Sequence, residues 1–398
     1  MRKIIFLVDM NSFFISCETL RHPEIKDKPA AVAGDPKSRR GIILTANYEA
    51  RKFGVKTTMP IYQAKRLCPS IILIPPDHSF YIKKSEEVMN LLNTYTPLIE
   101  QNSIDEAWLD MTGCEALSGK PMEAAKDIMK TIMDKLGLPC SIGISENKFL
   151  SKMASEMKKP MGITQLLKED IPFKMWPLSA GSMYGVGKQT AEKLKELGIN
   201  TIGDIASSSK ERLIKTLGKF GGEIYELSKG NDQSQVVPRK EEDIKSIGRS
   251  VTLGRDIINI EDARLILLKL SEEISASARK HEKKGRTVQI NIKYSDFKAI
   301  TRQTSVKPTF LTNEIYSAGV ELLEKNWNNQ PVRLLGISIT GFSEDSSLQQ
   351  LSMFQITEPE KSDKKLEKLE GTLDIIREKY GDSIIRRAVF VKKDKGEK

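Results

Sequence analysis

Asp105 and Glu106 stand side by side in the run Ser103-Ile104-Asp105-Glu106-Ala107. Adjacent carboxylates repel each other and resist burial, so a strand edge that carries them needs a partner of opposite charge. The usual partner is a divalent cation. A third carboxylate, Asp9, closes the apolar run Ile4-Ile5-Phe6-Leu7-Val8 far upstream. Three acids on two strand-like segments of a basic chain point to a two-metal site that handles phosphates. Tyr48 and Arg51 are three residues apart, hence on one helix face. A hydroxyl beside a guanidinium fork suits a triphosphate, and the alternative is a solvated face.

Further along, Tyr184-Gly185-Val186-Gly187-Lys188 reads as a tight hairpin that opens a new helix. Gly185 and Gly187 allow close backbone approach, and the free amides with Lys188 would grip one phosphate without reading a base. The alternative is an ordinary helical hairpin. Basic residues gather at Arg279-Lys280 and at Lys283-Lys284-Gly285-Arg286. A duplex backbone is the natural partner of such a face, with a solvated surface as the alternative. In Gln350-Leu351-Ser352-Met353-Phe354 apolar anchors crowd a short polar stretch, the pattern of a peptide ligand for another protein's groove. Otherwise it is a short strand.

These residues need elements to hold them. Residues 3–9 are apolar and short, which predicts a buried strand with Asp9 at its tip and a helix after Phe13-Phe14. One aromatic of that pair faces the core and the other wants a partner outside it. Strands are expected at 29–34, 41–46, 71–75, as a pair over 98–111, and at 141–145. Helices are expected at 80–95, over Glu115 to Leu136, and from the turn after Ser145 to Pro160, where proline stops it. Asn47 or Thr45 is placed to cap a helix that ends at Gly54. Strands separated by helices over 1–165 fit a mixed layer of the split βαβ kind. Residues 166–230 are helical with glycine-punctuated turns, and 231–244 read as a linker. Strands at 245–252, 287–294 and 332–342 with helices at 260–281 and 312–326 make a second small α/β unit. Residues 363–380 look helical.

The bulk numbers agree. The chain has 398 residues, a formal net charge of +10 and 39% hydrophobic residues, so it can bury real cores and its surface favours polyanions. Its four cysteines have no C-x-x-C spacing and there are only three histidines, which argues against structural zinc and for a reduced, cytoplasmic protein. The opening apolar run is stopped by Asp9, unlike a signal peptide. No apolar stretch approaches the ~20 residues of a membrane span.

In this order the motifs resemble those of the Y-family, or translesion, DNA polymerases, most closely the bacterial DNA polymerase IV type. The resemblance runs over about residues 1 to 345. It rests on Val8-Asp9-Met10-Asn11-Ser12-Phe13-Phe14, Thr45-Ala46-Asn47-Tyr48-Glu49-Ala50-Arg51, Ser103 to Ala107, Ser141 to Ser145 with Asn147-Lys148, Lys159-Pro160, the helix–hairpin–helix, and Lys245-Ser246-Ile247-Gly248-Arg249. It implies an α+β multidomain right hand: a ferredoxin-like palm (1–10 and 75–165), fingers (11–74), a helical thumb (166–232), a linker (233–244), a little finger (245–345) and a tail (346–398). It implies two Mg²⁺ ions, with Mn²⁺ as a substitute, on Asp9, Asp105, Glu106 and the Met10 carbonyl. Phe14 takes the steric-gate position, and Phe13, Thr45, Tyr48, Arg51 and Lys159 join it at the dNTP. Gly185, Gly187, Lys188, Arg249, Lys284 and Arg286 would meet primer–template DNA. Gln350, Leu351, Ser352, Met353 and Phe354 resemble a sliding-clamp motif. A monomer that extends primers without proofreading, with no membrane partner, is the expectation. One departure is Asn11, where the polymerase IV type often has Asp.

Overall fold

The computed structural model describes residues 2–35, 41–238, 244–342, 360–381 and 383–391. It divides into two compact units, Met1–Arg239 and Lys240–Lys398. The first begins with β1 (Ile5–Met10) and α1 (Phe13–Arg21). A small sheet follows from β2 (Ala30–Ala33), β3 (Ile43–Ala46) and β4 (Ile72–Ile74), with α2 (Tyr48–Lys52) and α3 (Ile61–Leu67) after β3. Then come α4 (His78–Leu92), β5 (Ile99–Gln101), β6 (Glu106–Asp110), α5 (Glu115–Ser118), α6 (Pro121–Leu136), β7 (Cys140–Ser145), α7 (Lys148–Met157) and β8 (Ile163–Gln165).

Every residue of β1 is buried, as a strand with both faces covered must be. It lies in the middle of a five-stranded sheet, order β5-β6-β1-β7-β8, antiparallel to both neighbours. The period of two sorts its side chains. Phe6, Val8 and Met10 join the core formed with α1, α4 and α6, among them Cys17, Tyr81, Leu92 and Ile128. Ile5 and Leu7 pack with Trp108 on the other face, and Asp9 follows them there. That face belongs to α7. The helix sits very close because Gly143 of β7 has no side chain: a Cβ there would lie 1.9 Å from the Ser151 carbonyl oxygen.

Three expectations change in this half. The helix expected over 115–136 breaks at Gly119, where φ is +75°, and restarts with Pro121. The short β8, parallel to β7, was not foreseen. The rest of the unit is helical, with α8 (Lys188–Glu196), α9 (Ile202–Ser207), α10 (Lys210–Leu217) and α11 (Lys219–Ser228). The stretch expected to be a free linker is partly docked. Val236 is buried with Ile5, Leu7 and Trp108. The Val237 amide donates to Glu100 at 3.0 Å, and Asp232 accepts from the Phe149 amide at 2.9 Å.

The second unit holds β9 (Ser246–Ile257), α12 (Ile260–Lys280), β10 (Gly285–Tyr294), β11 (Ala299–Thr309), α13 (Thr312–Asn326) and β12 (Val332–Thr340), with sheet order β11-β10-β12-β9. Both helices cover one face, over Val288, Ile290, Ile292, Ile337 and Ile339. The alternate residues lie on the other face, where Gly248, Ser338, Gln289 and Gln303 fall in one cross-strand row. The edge strand β11 escapes sequence reading because its side chains are mostly polar and exposed. The tail helix α14 (Glu360–Tyr380) packs on α12, and α15 (Ala388–Val391) follows. The motif from Gln350 to Phe354 lies outside the described residues. No described helix is long and apolar enough to cross a membrane.

Candidate active site

The β1–β6 register sets Asp9 directly opposite Glu106. Both side chains are nearly covered, and α7 lays Lys152 across them. The Lys152 ammonium donates to Asp9 Oδ2 at 2.9 Å, to Glu106 Oε2 at 2.6 Å and to Glu156 Oε1 at 3.0 Å. Lys159 donates to Asp9 Oδ1 at 2.8 Å and also to Glu156 Oε1 at 2.8 Å. Asn102 Nδ2 donates to Glu106 Oε1 at 2.5 Å. All four carboxylate oxygens of the facing pair are therefore engaged.

The two acids feel this differently. Burial pushes the Asp9 carboxyl up, but two ammonium groups outweigh it and hold it below the usual range. Burial also pushes Glu106 up, and there one ammonium and one neutral amide do not reverse it. Burial favours loss of the proton from Lys152 and Lys159, yet the surrounding carboxylates hold both protonated above their ordinary range.

Asp105 sits at the turn into β6. Its carbonyl accepts from the Met10 amide at 2.9 Å, which fixes the backbone of the two acidic segments against each other. Its side chain accepts from Ser103 Oγ at 2.6 Å. Among the described residues no group of three or more His, Cys, Asp or Glu is gathered as a metal cluster. The donor chemistry still fits a hard divalent cation: Asp9 and Glu106 bring oxygens only, and they converge on positive charge.

Around this centre the nucleotide candidates divide. Phe13 is buried in the core, so its side chain is unavailable to a ligand and only its backbone is. Phe14 is half-buried and stacks on Tyr81. No side chain caps α1, whose preceding Ser12 has φ 48° and a buried hydroxyl without a hydrogen-bond partner. Asn47, rather than Thr45, caps α2: its Oδ1 accepts from the amides of Ala50 and Ala30, each at 3.0 Å, and its Nδ2 donates to the Lys28 carbonyl at 2.7 Å. Thr45 lies on β3, half-buried. Arg51 lies over the Tyr48 ring, 4.9 Å from its centroid, and donates to the Ala46 carbonyl at 2.9 Å. Burial raises the Tyr48 phenol, against the pull of Arg51 and Lys159.

Gly185 takes φ +90° in the hairpin, and α8 starts after Gly187 with no side-chain cap and with Lys188 projecting into solvent. In the second unit Arg249 and Arg286 are exposed. Lys284 is not free: its ammonium binds Glu367 of α14 at 2.6 Å and lies over Phe310.

Sequence reasoning missed Lys152, Glu156, Asn102 and Tyr81. The signal for the first two was present as Lys148, Lys152 and Glu156, spaced by four along the helix after β7. Asn102 stands four residues before Glu106.

The impB/mucB/samB family matches residues 8–156, its C-terminal domain matches 244–353, and a thumb domain described for DNA polymerase-iota matches 182–232. The DNA polymerase IV of Clostridium kluyveri is 60% identical, covering 99% of this chain and 100% of that protein. DNA polymerase IV of Alkaliphilus oremlandii is 55% identical over 98% of this chain and 100% of that protein. DNA polymerase IV 1 of Bacillus subtilis is 42% identical over 98% and 94%. A solved Y-family DNA polymerase chimera superposes with a TM-score of 0.76 at 28% identity, covering 85% of this chain and 99% of that one.

Proposed function

The chain belongs to the Y-family DNA polymerases, in the DNA polymerase IV group, and we propose how its parts carry out that activity. It is a template-directed DNA polymerase of the translesion class. The five-stranded layer serves as palm, 11–74 as fingers, 166–232 as thumb and 245–345 as little finger. The observation that carries the reading is the facing pair Asp9 and Glu106, with every carboxylate oxygen already turned to a cation or an N–H donor.

Two Mg²⁺ ions, or Mn²⁺ in their place, held by Asp9, Asp105, Glu106 and the Met10 carbonyl, would lower the pKa of the primer 3′-hydroxyl and offset charge on the triphosphate. The protein's own groups do the positioning. Tyr48, Arg51 and Lys159 clamp the triphosphate, with Lys159 passing from Asp9 to a phosphate oxygen. The uncapped amides at the start of α1, including that of Phe13, add anion contacts. Thr45 supports this pocket from β3. The Phe14 ring occupies the space of a ribose 2′-hydroxyl and so selects dNTP. Gly185, Gly187 and Lys188 hold a DNA phosphate, while Arg249 and Arg286, with Lys284 once released from Glu367, face the duplex. The motif from Gln350 to Phe354 docks on a sliding clamp. The enzyme acts as a cytoplasmic monomer and does not proofread.

Primer extension with Mg²⁺ tests the core of this reading. Wild type is expected to extend, and Glu106→Ala to lose activity by on the order of 10³-fold while still binding dNTP. Equal rates for the two would end the assignment of Glu106. A Phe14→Ala enzyme that rejected rNTPs as well as wild type does would remove the gate.

A further inference from the structure

Lys152 is the most enclosed cation of the site, about 9% exposed. An ammonium has three N–H donors, and here all are used, on Asp9 Oδ2, Glu106 Oε2 and Glu156 Oε1. Two of those oxygens belong to the carboxylates that would hold the divalent ions. The third does not: Glu156 lies one turn further along the same helix, and its side chain is half exposed. A divalent ion that takes Asp9 Oδ2 and Glu106 Oε2 competes with the ammonium for the two oxygens it already holds, and the two cations repel each other at that range in a covered site.

We infer that Lys152 is a resident counter-cation which keeps Asp9 and Glu106 converged before metal arrives, and which yields their oxygens to the metal by swinging onto Glu156. The inference rests on the metal reading above. Without such a cation two covered carboxylates facing across adjacent strands would drive each other apart or take up a proton. Glu156 makes the exchange feasible, since it keeps one charge-assisted hydrogen bond to the displaced ammonium within reach on the same helix. It also links Lys152 to Lys159, because the same Glu156 oxygen accepts from both.

Mn²⁺ binding, followed by electron paramagnetic resonance of the free ion on full-length protein without DNA or nucleotide, tests this together with a crystal of the wild type soaked in Mn²⁺. Lys152→Met is expected to bind Mn²⁺ at least about tenfold more tightly than wild type, since the ion no longer displaces the ammonium's two charge-assisted hydrogen bonds to Asp9 and Glu106. In the soaked crystal Nζ of Lys152 is expected to keep Glu156 and to leave Asp9 and Glu106. Asp9→Asn separates the two levels. If it binds Mn²⁺ as wild type does, the metal reading falls and this inference with it. If Asp9→Asn abolishes binding but Lys152→Met binds no tighter, the inference alone falls. It falls too if the soaked crystal shows Mn²⁺ on Asp9 and Glu106 with Lys152 still bonded to both. Should Lys152→Met not fold, the wild-type crystal decides.

Discussion

The ring of Phe14 lies on that of Tyr81, centroids 4.4 Å apart and planes 14° from parallel. Tyr81 is fully buried, and its hydroxyl donates to Glu18 Oε1 at 2.6 Å. Glu18 is on α1, one turn beyond Phe14, so the Phe14 ring and its backing close into a single unit. Tyr81→Leu removes the flat support and leaves a buried carboxylate oxygen unpaired. An aromatic pair contributes about 0.5–1.5 kcal/mol. The dNTP-to-rNTP ratio of kcat/KM is therefore expected to fall about 3- to 10-fold. An unchanged ratio in a folded variant would mean that the ring's orientation is set elsewhere.

Asn11 governs the loop that carries Lys159. Its Oδ1 accepts from the Met161 amide at 2.8 Å, and its Nδ2 donates to Ser141 Oγ at 3.0 Å. Asn11→Ala takes this partner from the half-covered Met161 amide, a loss of about 1 kcal/mol. Because Lys159 would bind the triphosphate, the loss is expected in KM for dNTP, about fivefold or more, with kcat less affected. Asn11→Asp keeps the acceptor and should fall between. Steady-state kinetics of the three proteins would show a kcat-only effect if the loop did not matter.

Gly143 sets the height of α7 above the sheet. A Cβ at this position would sit 1.9 Å from Ser151 O and 2.5 Å from Ser155 N, which is backbone and cannot step aside. Gly143→Ala is expected to destabilise the first unit by about 1–3 kcal/mol or more. It also lifts Lys152 from Asp9. A urea midpoint equal to that of wild type would contradict the close packing.

Arg279 fastens the tail helix. It donates to Asp374 Oδ2 at 2.6 Å, to Asp374 Oδ1 at 3.0 Å and to the carbonyl of Phe310 at 3.2 Å, and it pairs with Glu370. Its side chain is about 9% exposed, so breaking the set leaves charge uncompensated in a covered place. In Arg279→Ala, amide exchange over α14 is expected to speed up by at least about 100-fold, matching about 3 kcal/mol. The protection of β10 should stay as it is.

Much of the site was legible because strands have a period of two and acids do not enter strands idly. Asp9 closes an apolar run, and its partners across the sheet were the paired acids. What stayed hidden depended on registers between distant elements. Nothing local in Lys152 says that α7 crosses β1, since that follows from the missing side chain of Gly143. Nothing in Lys284 says that Glu367 reaches it, since three strands and a helix separate it from α14 along the chain. Strand β11 was hidden for another reason: an edge strand with polar side chains on both faces carries no hydrophobic period. The linker was read from composition, and Val236 reversed that for its first residues by filling a gap beside Trp108.

Asn47 bears on which amino acids the chain can accept. One side-chain oxygen receives two amides, from Ala30 and Ala50, while its nitrogen gives to Lys28. Asp has the oxygen but no donor, Ser and Thr are too short to span both, and Gln carries an extra methylene that displaces the whole group. Of the twenty genetically encoded residues only asparagine meets all three bonds. The junction that aims Tyr48 and Arg51 thus has an alphabet of one letter. A drifting lineage that kept both of those residues and altered position 47 would be expected to carry compensating changes at 28–30.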